Sequence, residues 1–526
     1  MTRTQNAWPL ADARLRFLSS FPTHRHEVTI LSLCLVIAVW RLWLAQMGSS
    51  LWLDETGTVW AVKGTLAQAL DRSWMHPGQP SVLYSIIAWL LLLPGFPMEW
   101  TLRLPSIMAM AGAGIVLYRL AVRFGLRGEA MLAVTVFATS GPVIFAAADA
   151  RPYAIALLSV VAAVLMLTRW LDSGRSLDAA AYVVLTAISI HLHYTCALMC
   201  LVHAAYAVYR LNTGSRVSPS GVVLAVALPP ALCLPLAPHA ANLWALRAPH
   251  SFVGTPGPAE FARAVLPSTL LICLAAGLSA GRWIAKGLAW RPPQEPPRSS
   301  FLLLTWYLLP MTLCFAVSRL SEAKVFVERY FLWGVPASAL LVAWLIAGIE
   351  PARARRAAGL VVVLALVGGR ISQSGKTHGS EDWRGAVQAI NSMVKPGTPV
   401  VFQSGFSESS SVHFEALSGA GGPLLAPLAT YPIAARLFAV PGRLDTSARE
   451  QLEQIVSGSL LQSQSFVVLT RGSSSVEVWL LGRLSTLGFV ARHIGDFGLV
   501  SVVIFERSTA SGNTRASPQS APSSKS

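Results

Sequence analysis

The sequence predicts a polytopic α-helical membrane protein that ends in a small α/β domain. Three observations carry this prediction. The 526-residue chain is 53% hydrophobic and only 13% charged, with a mean hydropathy of +0.53, outside the range of ordinary soluble domains. Apolar runs recur from about residue 28 to 370, and their length of roughly 16 to 21 residues is close to what a helix needs to cross a bilayer. These runs do not alternate with polar residues, which excludes a strand-built barrel. From about 371 onward the composition turns polar and helix, turn and strand signals replace the apolar runs.

The net charge of +16 does not mark a nucleic-acid partner, because the basic residues sit in short loops between apolar runs. Arg119, Arg123 and Arg127, then Arg169 and Arg175, Arg210 and Arg216, Arg282 and Lys286, and Arg353, Arg355 and Arg356 form such groups. By the positive-inside rule they mark the cytoplasm, together with the N-terminal arm at 1–27. The intervening loops carry Asp54, Glu55, Asp71, Glu99, Asp149, Glu260, Glu322 and Glu328 and belong on the opposite side. All six cysteines lie in apolar runs, with no disulfide framework or zinc-type spacing.

Taken in order, the charge alternation places spans near 28–47, 104–121, 129–147, 153–169, 178–194, 195–210, 220–238, 264–281, 301–318, 330–348 and 357–370, eleven crossings within 11 to 13 helices for the 28–370 region. The first is read as a retained helix, since no cleavage site follows it. A further run, "SVLYSIIAWLLLLPGF" at 81–96, would reverse every later loop if it crossed. It reads as re-entrant, interfacial or paired with a span not otherwise recognised. "HLHYT" is expected to be a tight turn between two spans. In the C-terminal domain, 371–508, "EDWRGAVQAINSMVKPGTPVVFQSG" reads as helix, Pro-Gly turn and strand. "SFVVLTRG", "SVEVWLLGRLSTLGFVARHIGDFG" and "LVSVVIFER" add strand, helix and strands. The Ser/Pro-rich tail at 509–526 cannot bury a core.

Ionisable groups at membrane depth are costly and are functional candidates by default. Those on the non-cytoplasmic side recur in short motifs: "LDE" with Asp54 and Glu55, "MHPGQPSVLY" with His76, "LRLPS" with Arg103, "DARPYA" with Asp149, Arg151 and Tyr153, "HLHYT" with His191, His193 and Tyr194, and "VERYF" with Arg329 and Tyr330. Structural readings compete with the functional ones. Arg103 and Arg151 also suit snorkelling boundary residues, the histidines suit backbone caps, the tyrosines an interfacial belt, and Arg329 an ion pair with Glu328 or Glu322.

In the order and spacing of these motifs the chain resembles the membrane-embedded GT-C-type glycosyltransferases that use polyprenyl-phosphate sugars, the superfamily of protein O-mannosyltransferases and lipid A aminoarabinose transferases. The resemblance covers roughly residues 28 to 430. It rests on "LDE" after the first span, "HP…Y", "RLPS", "D-A-R-x-Y" about 73 residues after His76, the "RY" pair followed by Pro336, and "EDWRGAVQAINSMVKPGTPVV". The chain departs from the pattern where "HPP" is His76-Pro77-Gly78, and nothing after 430 matches.

The resemblance implies an inverting inner-membrane glycosyltransferase, since attack opposite the phosphate inverts the anomeric centre. It would move a hexose or pentose from a polyprenyl-phosphate-linked donor in the membrane lipid to a cell-envelope acceptor on the extracytoplasmic side. Asp54 is then the base, with Glu55 positioning it or binding acceptor. His76, Arg103, Asp149, Arg151, Tyr153, His193, Tyr194, Arg329 and Tyr330 would bind the donor phosphate or substrate. No cofactor is certain, and a divalent metal on Asp54, Asp149 and His76 is compatible with the ligand types. The competing reading is a secondary transporter or flippase of an envelope precursor, whose intramembrane charges would line a transport path.

Overall fold

The computed structural model describes residues 24–75, 81–245, 247, 253–284, 289–293, 297–372, 378–406, 422–440, 444, 446–472 and 475–508. His76, the expected tail at 509–526 and most of the arm at 1–27 lie outside them.

Among the described residues, seven helices of 20 residues or more are apolar enough to cross a membrane, and two bent helix pairs raise the number to nine. This is fewer than the eleven crossings expected, and the residues explain the difference. Ser176–Leu192 is helical but has only 17 residues, and Ala352–Ile371 begins on three arginines, Arg353, Arg355 and Arg356. The run expected to be a single span at 129–147 is two helices, Ala130–Ala138 and Gly141–Ala147, bent by 68°. Pro142 stands at the start of the second helix, where it fits, but it cannot continue the first because it lacks an N–H and crowds the preceding turn. The leftover run at 81–96 forms a helix of only 11 residues, Val82–Leu92, about 16 Å long at the usual helical rise and too short to cross alone.

The most buried of the spanning helices, Tyr153–Ser173, packs against both Met98–Arg123 and Ser176–Leu192. Their contacts rely on small residues. A Cβ on Gly277 would meet the Ala358 carbonyl oxygen at 2.8 Å, so helix Ser268–Ile284 and helix Ala352–Ile371 approach closely through a glycine, as membrane helices commonly do.

The C-terminal domain carries a five-stranded sheet. Its strands are β1 (Pro399–Gln403), β2 (Arg436–Ala439), β3 (Ser465–Arg471), β4 (Phe489–Phe497) and β5 (Val500–Arg507), in the spatial order β2-β1-β3-β5-β4. β1 runs parallel to β2 and β3, and β5 runs antiparallel to β3 and β4. Helix Trp383–Met393 covers it, started by Asp382, whose carboxylate accepts the Gly385 N–H. This is the helix, turn and strand expected from "EDWRG" through "VVFQ".

Candidate active site

The site grows from the link between the first span and the helix Leu53–Val62. Residues 47–52 are irregular, so their polar backbone atoms need partners from elsewhere. Two neighbouring carboxylates then leave the first turn of the helix. The helical step of about 100° per residue sends them to different faces.

Glu55 points inward and is fully buried. Its Oε1 accepts from Arg103 Nε at 2.8 Å and from the Ala150 N–H at 2.7 Å; its Oε2 accepts from Arg103 Nη2 at 2.5 Å and from the Trp52 N–H at 3.1 Å. Burial alone would raise the Glu55 carboxyl, but the Arg103 guanidinium, then His378, and the Arg103 and Ala150 hydrogen bonds hold it below the usual range. Arg103 is equally buried. Its remaining N–H groups donate to the carbonyls of Gln46, Met47, Ser49 and Ser50. Arg103 therefore has no open face for a phosphate, and the expectation that it binds one gives way to an internal role: it ties Glu55 to the loop before it.

Asp149, expected at the substrate, is also buried. Oδ1 accepts from Trp52 Nε1 at 3.0 Å, and burial pushes its carboxyl up. His378, from the start of the C-terminal domain, lies behind it, with Nε2 3.6 Å from Asp149 and 3.9 Å from Glu55. Glu55, Asp149 and His378 are the one trio among the described residues whose ligand atoms converge as a metal would need. Asp54 is not among them. The trio does not fit a metal, because four donors already fill the four lone-pair positions of Glu55. Two open ligands remain.

Asp54 faces the other way. Its side chain keeps 22% exposure and its Oδ2 meets Arg329 Nη1 at 3.0 Å. Arg151 donates to the Asp54 carbonyl at 3.3 Å, and Arg151 Nε has no hydrogen-bond partner among the described residues. Both arginines come from short breaks between helices: Arg151 just before Tyr153–Ser173, and Arg329 in the 3-10 stretch Glu328–Gly334. His193 caps Ser176–Leu192 in an extended conformation, which turns its ring toward Tyr153 and Tyr330, with ring centres 5.1 and 5.3 Å away. The turn expected at "HLHYT" is thus a single extended residue between two helices.

A relay fixes the His193 ring. Trp333 Nε1–H donates to Thr195 Oγ1 at 2.8 Å, and Thr195 Oγ1 lies 2.7 Å from His193 Nδ1. An indole can only donate, and the Thr195 hydroxyl has no other acceptor among the described residues, so it donates to Nδ1. The imidazole is then neutral with its proton on Nε2. Tyr194, expected beside the substrate, instead pairs its hydroxyl with His239 Nδ1 at 2.7 Å.

On the far side of Glu328–Gly334 is a cavity of about 650 Å³. Glu328 and Phe331 line it, while Arg329 and Tyr330 between them face Asp54 and His193. Val136, Leu270, Met311 and Phe326 give it an apolar wall, and Glu260, Arg263, Glu328 and Arg370 add charged groups of both signs. His378, together with Glu381, Arg384 and Tyr431 of the C-terminal domain, was not legible as part of the site. The local signal is a run of polar residues, "HGSEDWRG" at 378–385, shortly after the last apolar run.

No family model and no curated protein matches the chain. Among solved structures, it is similar to ArnT from Cupriavidus metallidurans bound to undecaprenyl phosphate, with 12% identity, a TM-score of 0.51, and coverage of 93% of this chain and 99% of that one. The apo state of the same protein gives 11% identity, a TM-score of 0.52, and coverage of 90% and 97%. At that identity the likeness is one of architecture, and it extends over nearly the whole of both chains: this protein has the GT-C-type fold of ArnT.

Proposed function

We propose that the chain is an integral membrane glycosyltransferase that moves a sugar from a polyprenyl-phosphate donor to a cell-envelope acceptor. One observation carries the reading: a partly exposed carboxylate, Asp54, is flanked by the guanidiniums of Arg329 and Arg151, and the segment that presents Arg329 to it also walls, through Glu328 and Phe331, a cavity on its other side. A base next to two cations suits a reaction that removes a proton from a nucleophile while a phosphate departs. ArnT, with the same fold, was crystallised with undecaprenyl phosphate, which supports a donor of that class. The apolar wall suits an isoprenoid chain.

In this reading the donor phosphate takes the guanidinium of Arg329 from Asp54, and Arg151 adds a second, planar contact. The freed Asp54 carboxylate accepts the proton of an acceptor hydroxyl or amine. The acceptor's electron pair forms the new bond to the anomeric carbon, and the bond from that carbon to the phosphate oxygen breaks. The polyprenyl phosphate leaves with that electron pair, its charge met by the two arginines and the His193 Nε2–H. Attack opposite the leaving group inverts the anomeric centre. Placing the site outside the cytoplasm, with the N-terminal end inside, follows from the arginine distribution.

The test is sugar transfer from a synthetic polyprenyl-phosphate donor in nanodiscs, paired with mass spectrometry of envelope glycans with and without the gene. The reading requires a lost hexose, pentose or amino sugar and turnover in vitro. Movement of an intact precursor across the bilayer without cleavage would replace it with the transport reading.

A further inference from the structure

The loop that delivers Asp54 is held from two sides. Arg103 grips its carbonyls from within the membrane helices. The C-terminal domain grips its other polar groups. Tyr431 Oη accepts the Leu51 N–H at 2.9 Å; Arg384 donates to the Gly48 carbonyl at 2.8 Å, and its own N–H donates to Ser50 Oγ at 3.1 Å. The contact nearest the reacting group belongs to Glu381, whose Oε2 accepts the Leu53 N–H at 2.9 Å.

Leu53 is the first residue of the site helix and directly precedes Asp54. Its N–H is one of the donors that a helix start leaves unsatisfied, and no residue nearby in sequence caps it. Glu381 is fully buried. The same Oε2 accepts from Trp383 Nε1 at 2.7 Å, and Oε1 accepts from Arg471 Nε at 2.6 Å, so the carboxylate is fixed in orientation by two of its own domain's side chains. The second lone pair of Oε2 goes to Leu53.

We propose that Glu381 is a positioning residue: across the boundary between the two domains it caps the helix that carries Asp54, and so sets where the base stands. The inference rests on Asp54 being the base. It assigns the C-terminal domain a part in catalysis, since the side chain that aims the base is 328 positions from Leu53 in the chain. Docking alone does not require this contact. Arg384 and Tyr431 also meet Glu99, and these bonds join the domains without touching Leu53.

The test uses the full-length protein in nanodiscs with a synthetic polyprenyl-phosphate sugar, reading kcat, donor KM and thermal stability. Because a displacement of about 1 Å at a reacting group costs on the order of a hundredfold, Glu381→Ala is expected to lower kcat by about 10- to 100-fold with donor KM within about threefold. Glu381→Gln keeps an acceptor oxygen for Leu53 and is expected to recover kcat to within about fivefold of wild type. Glu99→Gln weakens the docking contacts to Arg384 and Tyr431 but leaves the cap and its supports in place, and should cost stability with kcat within about twofold. Equal loss of kcat in Glu381→Ala and Glu99→Gln, tracking stability, would reduce Glu381 to a docking residue and overturn the proposal. If Glu381→Ala does not fold, Glu381→Asp, one methylene too short to reach Leu53, replaces it, and equal kcat for Glu381→Asp and Glu381→Gln would overturn it. Hydrogen exchange over residues 50–58 separates this from the choice of reaction. Faster exchange at Leu53 and Asp54 in the Glu381 variant is expected even if the donor class is wrong, and unchanged exchange would overturn the positioning role whatever the enzyme transfers.

Discussion

Asp54 and Glu55 are neighbours in sequence and opposites in setting. Asp54 keeps one guanidinium contact and an open side, at 22% exposure. Glu55 is at 0%, with every lone pair occupied. The first can exchange its partner for a substrate; the second cannot, since leaving a buried charge uncompensated costs several kcal/mol. Two carboxylates side by side therefore do not form a catalytic pair here. In the proposed reaction Asp54 performs the chemistry, while Glu55 anchors the frame around it.

Four perturbations would sharpen or break that contrast. The largest effect should fall on the frame: Glu55→Gln leaves Arg103 buried without its counter-charge, and breaking such a pair typically costs about 3–5 kcal/mol. Unfolding in detergent followed by intrinsic tryptophan fluorescence measures it. A fully stable Glu55→Gln would mean that the buried ion pair is not structural. On the reacting side, Arg151→Lys keeps the charge but loses the planar fork, so transfer should fall by about tenfold with stability unchanged. Unchanged transfer would demote Arg151 to a boundary anchor. A smaller effect is expected from Thr195→Val, which cuts the relay that keeps the His193 proton on Nε2; about threefold lower kcat is expected, with donor binding retained. The ring's tautomer is read independently from ¹⁵N shifts of labelled histidine, and an unaltered tautomer would refute the relay. Chelation should do least. Glu55 has no lone pair to offer a metal, so EDTA should leave transfer unchanged, and activity restored by one divalent ion after EDTA would mean that Glu55, Asp149 and His378 rearrange to bind it.

Much of this arrangement was legible from the sequence because it depends on local pattern. Apolar length and arginine placement indicated a helical membrane region, and the polar change at 371 indicated the α/β domain. "LDE", "DARPYA" and "VERYF" marked Asp54, Arg151 and Arg329, which do meet. The division of labour between Asp54 and Glu55 was not legible, because adjacent acids look alike until a partner is placed, and Arg103 lies 48 positions from Glu55. The bend between Ala138 and Gly141 was signalled by Gly141-Pro142, yet hydropathy averaged over it. The grip of the C-terminal domain was invisible for a different reason: His378, Glu381, Arg384 and Tyr431 meet the 46–53 segment from across the whole intervening membrane region. No periodicity records a contact across more than 300 positions.

The most direct test of the central claim is Asp54→Asn, which keeps size and hydrogen-bonding capacity but removes the base. Transfer from a synthetic polyprenyl-phosphate sugar in nanodiscs should fall by about 10²- to 10⁴-fold per folded molecule, the usual worth of a positioned general base, with stability close to wild type. An Asp54→Asn protein that retains more than about a tenth of wild-type transfer would contradict the account.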